Sequence, residues 1–306
     1  MGTPSFAVPS LKILLENNYE ISTVVTASDK KKGRGRNISY SEVKKFALKT
    51  NLKILQPETL KDKNFQDEIS SLSPELIIVV AFRILPKEIF TIPNFGSFNL
   101  HASLLPKYRG AAPINWALIN GEKETGVTSF FLQEKVDTGN IILQKKFEID
   151  DNDDAGSLHD KLSQLGAETV LETVKLIENG KVELKAQNDR HASPAPKIFK
   201  EDCIINWDED AFRIHNFIRG LSPYPAAFTY LENKSVKIYK TQFTHLPSHG
   251  TAGKIMFKDK KLFANTKKNL LEIIELQLEG KKRISSIDFL NGLDKNKVLS
   301  FKSSLS

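Results

Sequence analysis

The stretch Phe95-Gly-Ser-Phe-Asn99-Leu-His101-Ala-Ser103-Leu-Leu-Pro106-Lys-Tyr-Arg109-Gly110-Ala-Ala-Pro113 decides how this chain is read. Residues 96–100 alternate as a strand, with Phe98 and Leu100 on one face and Ser97, Asn99 and His101 on the other. Side chains two apart share a strand face, so Asn99 and His101 stand together. His101 falls at the strand's carboxyl end, the edge where open α/β sheets keep their sites. Ser103-Leu104-Leu105-Pro106 then turns the chain, and Pro106 restricts Leu105 to extended backbone, which stiffens the turn. Pro113 suits the first turn of a helix over 113–119.

An amide that donates hydrogen bonds and a titratable imidazole on one face can hold a developing oxyanion and manage a proton. A third polar group then orients the ring. Asp137, in Glu134-Lys-Val-Asp137-Thr138-Gly139, is the candidate, because Thr138-Gly139 reads as a tight turn that would aim it. On spacing alone, an Asn-x-His pair on a strand is most often a structural hydrogen-bonded pair.

Asn99-x-His101-x-Ser103-Leu-Leu-Pro106-x-x-Arg109-Gly110-x-x-Pro113, followed by Thr125-Gly-Val-Thr128 and Asp137-Thr-Gly139, resembles the folate-dependent formyltransferases. The resemblance runs from Gly2-Thr-Pro4 to the C-terminal lysine-rich region, and it looks most like the members whose acceptor is methionine on initiator tRNA. It implies a formyl group moved from 10-formyltetrahydrofolate to the methionyl α-amino group at the start of translation. Asn99, His101 and Asp137 would be catalytic. The turn Ser103, Leu104, Leu105, Pro106 and the segment Phe82, Arg83, Ile84, Leu85 would hold the folate. No metal is implied, since a formyl group on N10 is already activated. Nucleotide-sugar formyltransferases share the central motif, so the motif does not name the acceptor.

The net charge is +7, and it is unevenly placed. Residues 207–306 hold 17 Lys plus Arg against 10 Asp plus Glu, while residues 1–206 hold 27 of each. A basic excess confined to the last third fits a polyanionic partner. Lys281, Lys282 and Arg283 are the candidate contacts there. Lys30, Lys31, Lys32, Arg34 and Arg36 form a second basic cluster, too charged and glycine-rich for regular structure. It is not a dinucleotide fingerprint, because position 38 is Ile. In the family a basic insertion loop at this place reads the tRNA acceptor stem, and the resemblance carries Arg34 and Arg36 onto that role, with Lys30, Lys31 and Lys32 as further phosphate contacts.

With one cysteine, Cys203, no intrachain disulfide can form. No apolar run approaches transmembrane length. The reading is a cytoplasmic monomer. The other five histidines, His159, His191, His215, His245 and His249, are scattered and read as structural or surface groups.

Along the chain, strands over 21–26, 52–55, 76–81, 126–132 and 141–146 alternate with helices over 10–17, 41–50 and 157–178. That pattern is α/β: a doubly wound, mostly parallel sheet of the formyltransferase type. Short strands over 226–231, 236–243, 253–257, 261–264 and 270–278 follow a helix over 208–220, which reads as a small OB-like β-barrel. Residues 285–291 read as a short helix. The expected domains are a catalytic one over 1–188, a linker over 189–203 and a tRNA-binding one over 204–306. Gly2-Thr-Pro4 matches the family's loop after its opening strand, yet only Met1 precedes it. The first strand is therefore expected to be missing, leaving a gap bordered by 21–26 and 76–81.

Overall fold

The computed structural model describes every residue except 33–36, 293–298 and 305–306. Its contacts divide the chain into two compact units. The first comprises Met1–Gly110, Glu124–Glu148 and His159–Ala195, and the second Ala111–Lys123, Ile149–Leu158 and Pro196–Ser306.

The strands of the first unit are, in chain order, β1 (Val24–Val25), β2 (Lys30–Lys32), β3 (Asn37–Ser39), β4 (Ile54–Leu55), β5 (Ile77–Val80), β6 (Ser97–His101), β7 (Arg109–Gly110), β8 (Glu124–Phe131), β9 (Ile141–Glu148) and β10 (Pro194–Ala195). β1 pairs in parallel with β4, and β5 in parallel with β6. Beyond β6 the sheet turns antiparallel, through β8 to β9. Parallel pairing covers β1–β4, Gly2 opposite Val80, and β5–β6, and the antiparallel part is confined to β8 and β9. The connection over 132–140 is too short for a crossover, which obliges β9 to return antiparallel.

Met1 and Gly2 run between β1 and β5. Gly2 N–H donates to Val25 O at 3.0 Å, Val80 N–H donates to Met1 O at 2.9 Å, and Met1 N donates to Ile78 O at 2.6 Å. Part of the backbone expected to face a gap is therefore engaged, at Val25, Ile78 and Val80. A cavity of about 130 Å³ opens beside these residues, walled by Leu14, Val24, Val43 and Ile78.

The apolar face of β6 is sealed. Phe98 and Leu100 are 0% and 3% exposed. The helix Ala155–Glu178 lies so close that a Cβ on Gly166 would stand 2.7 Å from Leu100 Cδ2. Ser129 Oγ and Thr173 Oγ1 tie the same helix to β8 at 2.7 Å. Burying that face leaves Asn99 and His101 on the opposite one.

One segment departs from its expected form. Lys30–Lys32 pairs antiparallel with Asn37–Ser39, in the register Lys30↔Ser39, Lys31↔Ile38 and Lys32↔Asn37. Ladder hydrogen bonds satisfy a ribbon's backbone without apolar content, so high charge did not exclude strand pairing here. The helix Lys63–Ser71 lacks a long apolar stripe. Its buried side rests on Phe65 and Ile69, one turn apart, and Asp62 caps it by accepting from Asn64 N–H at 3.0 Å.

The second unit carries β11 (Ala227–Leu231), β12 (Lys234–Pro247), β13 (Ile255–Lys258), β14 (Lys261–Asn265), β15 (Asn269–Leu278), β16 (Ile284–Ser285) and β17 (Phe301–Lys302). They form one curled antiparallel sheet in the order β13-β14-β15-β12-β11-β17, with β16 on β15. The curl brings its ends together: Phe301 N–H donates to Gly253 O at 2.8 Å, and Lys254 bridges Ser300. Ile238, Leu262, Leu271 and Leu276 fill the interior with the apolar side of the helix Ala211–Leu221. The helix Pro113–Ile119 belongs to this unit, and Asn115 Nδ2 donates to Gly220 O at 2.7 Å.

Candidate active site

Parallel pairing of β5 with β6, Val80 opposite Leu100, brings their carboxyl ends to one edge. His101 ends β6 there, and residues 82–85 leave β5 beside it. His101 is 6% exposed, and its Nε2 lies 2.8 Å from Tyr108 O. A carbonyl only accepts, so Nε2 is the nitrogen that donates. Nδ1 faces Asp137 Oδ2 at 3.9 Å. That is too long for a direct hydrogen bond and leaves both groups able to engage a third atom. The bond that orients the ring thus comes from the Tyr108 carbonyl, where Asp137 was expected to supply it. Asn99 is half-buried on the same strand face. Among the described residues, none hydrogen-bonds its carboxamide.

Asp137 sits in the loop between β8 and β9 with φ +54°, a left-handed conformation that Asp tolerates better than most residues. Its Oδ2 accepts from Gly110 N–H at 2.9 Å. The loop doubles back so tightly that a Cβ on Gly139 would stand within bonding distance of Phe131 O, so only glycine fits. Lys87 Nζ meets Glu134 Oε1 at 2.6 Å at the loop's start, and this bond holds the Glu134 carboxyl below its usual range.

The turn over 103–106 is held from inside. Thr128 Oγ1 donates to Ser103 O at 2.6 Å and accepts from Leu105 N–H at 3.2 Å, and Gln144 Nε2 donates to Leu105 O at 2.7 Å. Ser103 and Leu105 are buried, and Leu105 packs with Phe130 and Ile141. Their side chains therefore face the core, leaving Leu104 and Pro106 partly exposed. In residues 82–85, Ile84 is 72% exposed while Leu85 is buried. Arg83 is drawn away by its own bonds, donating to Pro57 O and Glu58 O at 2.8 Å each.

An unengaged carboxamide, a buried imidazole and a carboxylate at the open edge of an α/β sheet are accompanied by a match across the same residues. The family model described as "Formyl transferase" covers residues 1–174, and "Formyl transferase, C-terminal domain" covers residues 197–294. The chain belongs to the formyl transferase family. A methionyl-tRNA formyltransferase of Flavobacterium johnsoniae is 49% identical over 96% of this chain and 95% of its own length. One of Caldanaerobacter subterraneus subsp. tengcongensis is 46% identical over 95% of each. Among solved structures, WlaRD, a sugar 3N-formyl transferase in the presence of dTDP and 5-N-formyl-THF, superposes with a TM-score of 0.66. It is 25% identical, covering 92% of this chain and 97% of that one.

The basic residues divide. Arg34 and Arg36 lie outside the described residues, and Lys30, Lys31 and Lys32 are placed only as the backbone of β2. Lys281 and Lys282 are exposed, and among the described residues no carboxylate pairs with either. Arg283 is engaged, bonded to Glu275 and set over the Tyr239 ring at 4.4 Å. For a formyl transferase built this way, sequence reasoning missed the Tyr108 carbonyl, the Gly110 amide and Gln187, which touches the Asp137 loop. The first two had a local signal in Tyr108-Arg109-Gly110, where Tyr108 takes φ +62°. Gln187 had none, since it lies far along the chain among polar residues.

Proposed function

We propose that this chain moves the formyl group of 10-formyltetrahydrofolate to the α-amino group of methionine on initiator tRNA, with Asn99, His101 and Asp137 at the reacting atoms. The observation that carries this reading is the Asn99 carboxamide, held on a strand beside the His101–Asp137 pair and hydrogen-bonded by none of the described residues. The neutral amine attacks the formyl carbon, forming a carbon–nitrogen bond and an oxyanion. Asn99 Nδ2 donates to that oxyanion. His101 stabilises that oxyanion and helps move the proton. Asp137, held by Gly110 N–H, takes the amine's proton through water. The oxyanion then collapses to a carbonyl, the bond to N10 breaks, the proton taken from the amine passes to N10, and tetrahydrofolate leaves. Residues 82–85 hold the pterin ring with their backbone, and the 103–106 turn meets the folate through backbone, Leu104 and Pro106. The enzyme works as a cytoplasmic monomer, and Lys30–Lys32, Arg34, Arg36, Lys281, Lys282 and Arg283 touch tRNA phosphates.

The test is direct. The protein is incubated with labelled formyl-folate and either methionyl-initiator tRNA or a dTDP-aminosugar. Label in the aminoacyl-tRNA is the expected result. Label in the sugar alone would reassign the acceptor, and none in either would remove the reading.

A further inference from the structure

We propose that Gln187 is a positioning residue for Asp137, and that Arg109 holds Gln187 in that role. The inference rests on the assignment of Asp137 to the reaction. Asp137 cannot be placed by its own strand, because it has none: it occupies a loop in a left-handed conformation. Its backbone is held from outside. Gln187 Nε2 donates to Asp137 O at 3.0 Å and to Gly139 O at 2.8 Å, clamping the carbonyls on either side of Thr138. The same amide's Oε1 accepts from Arg109 Nε at 3.1 Å and Nη2 at 2.7 Å. Both donors and both lone pairs of the Gln187 side chain are thus used, which leaves it one orientation.

Arg109 is itself fixed. Its N–H donates to Ser193 O at 2.9 Å, β7 pairs with β10, and Nη2 also donates to Asp189 Oδ1 at 2.7 Å. The strand segment Arg109–Gly110 therefore grips Asp137 twice. Gly110 N–H holds the carboxylate directly, and the Arg109 side chain holds the loop backbone through Gln187. At the other side of Gln187, Lys185 exchanges backbone hydrogen bonds with Ile141, at 3.0 and 2.8 Å, tying the segment to β9. Gln187 is partly exposed and belongs to no apolar core, so its removal changes where Asp137 stands without unfolding the unit.

Two variants separate the roles of the amide. Gln187→Met keeps the length and removes donors and acceptor. Gln187→Glu keeps the acceptor for Arg109 and removes the donors. Displacing a reacting group by about 1 Å costs up to ~100-fold in rate, so each variant should lose between about tenfold and 100-fold in kcat. KM for methionyl-tRNA and the melting temperature should hold, and the acidic limb of the kcat pH profile should move. In an Asp137→Asn background, Gln187→Met should add nothing, since the group it positions is gone. Wild-type kcat in both Gln187 variants overturns the proposal. So does a loss that adds fully to that of Asp137→Asn, or one that tracks melting temperature with the pH profile unmoved. Full activity of Asp137→Asn alone would instead remove the assignment on which the proposal stands.

Discussion

Two imidazoles lie in enclosed places in this chain, and their surroundings differ in sign. His101 ends a strand, donates from Nε2 to a carbonyl, and turns Nδ1 toward the Asp137 carboxylate. His215 lies on the helix Ala211–Leu221, with Nδ1 2.9 Å from Thr241 Oγ1. The charged groups around it are Arg219, Lys123 and Asp151. Burial first, and the Arg219 guanidinium next, push His215 down to about 4. Arg219 cannot move aside, because it donates to Asn216 Oδ1 at 2.8 Å and to Asp150 O and Asp153 O at 3.3 Å. Enclosure alone therefore does not mark a working histidine. The sign of the neighbouring charge and an open sheet edge do.

The largest effect should separate the two at the level of rate. Asn99→Ala or His101→Ala should lower kcat by about 10²–10³-fold, the usual cost of one oxyanion partner. His215→Gln should leave kcat within about twofold, as expected for a group that takes no part in the reaction. Steady-state kinetics on the three proteins decides it. A His215→Gln enzyme as slow as His101→Ala would break the comparison.

At the level of stability the order reverses. His215 is neutral in the folded chain down to about pH 4, whereas an unfolded histidine takes a proton near pH 6.5. Between those values the unfolded state binds more protons, so stability falls as pH drops from about 6.5 to about 4 and is flat above 6.5. The loss is at most about 3.5 kcal/mol, since each tenfold change in proton affinity is worth roughly 1.4 kcal/mol, and it is less to the extent that the ring meets solvent. Urea unfolding at pH 7 and 4.5 should show this slope in the wild type and a shallower one in His215→Gln. Equal slopes would sink the assignment.

The scaffold of the first imidazole offers a smaller effect. Thr128 faces His101 across the β6–β8 ladder, and its hydroxyl serves Ser103 O and Leu105 N–H. Thr128→Val keeps the shape and strands both buried groups, which should cost about 1–3 kcal/mol. Denaturation midpoints measure it, and an unchanged midpoint would mean that water replaces the hydroxyl.

What was legible in the sequence follows the range over which each residue is held. Asn99 and His101 are placed by alternation along one strand, a two-residue rule, so their shared face could be read directly. Asp137 could be suspected from its turn, but what aims it lies at Gly110 and Gln187, and no local pattern announces that. The stiff 103–106 turn was legible through Pro106. That Ser103 and Leu105 point inward was not, because it depends on Thr128 and Gln144 from other strands. The curled C-terminal sheet was legible as short strands between turns. Its closure through Gly253 and Phe301 was not, because those residues are far apart in the chain. The β2–β3 pairing was not legible, because backbone pairing there needs no apolar signature.

The smallest effect concerns the basic run after β15. Lys281 and Lys282 extend into solvent without carboxylate partners among the described residues, while Arg283 is already bonded to Glu275 and stacked over Tyr239. A charge that neutralises a phosphate releases counterions, and each lost contact flattens log Kd against log salt by roughly 0.7–0.9. Lys281→Ala with Lys282→Ala should therefore reduce the slope for methionyl-tRNA by about 1.4–1.8, since two such contacts are removed. Arg283→Ala should change it by less than one contact, because its guanidinium would have to leave Glu275 to reach a phosphate. Filter binding across a salt series measures both. If Arg283→Ala flattens the slope more than the paired lysine change, then the contact at this end of the molecule runs through the stacked arginine, and the free lysines only solvate the surface.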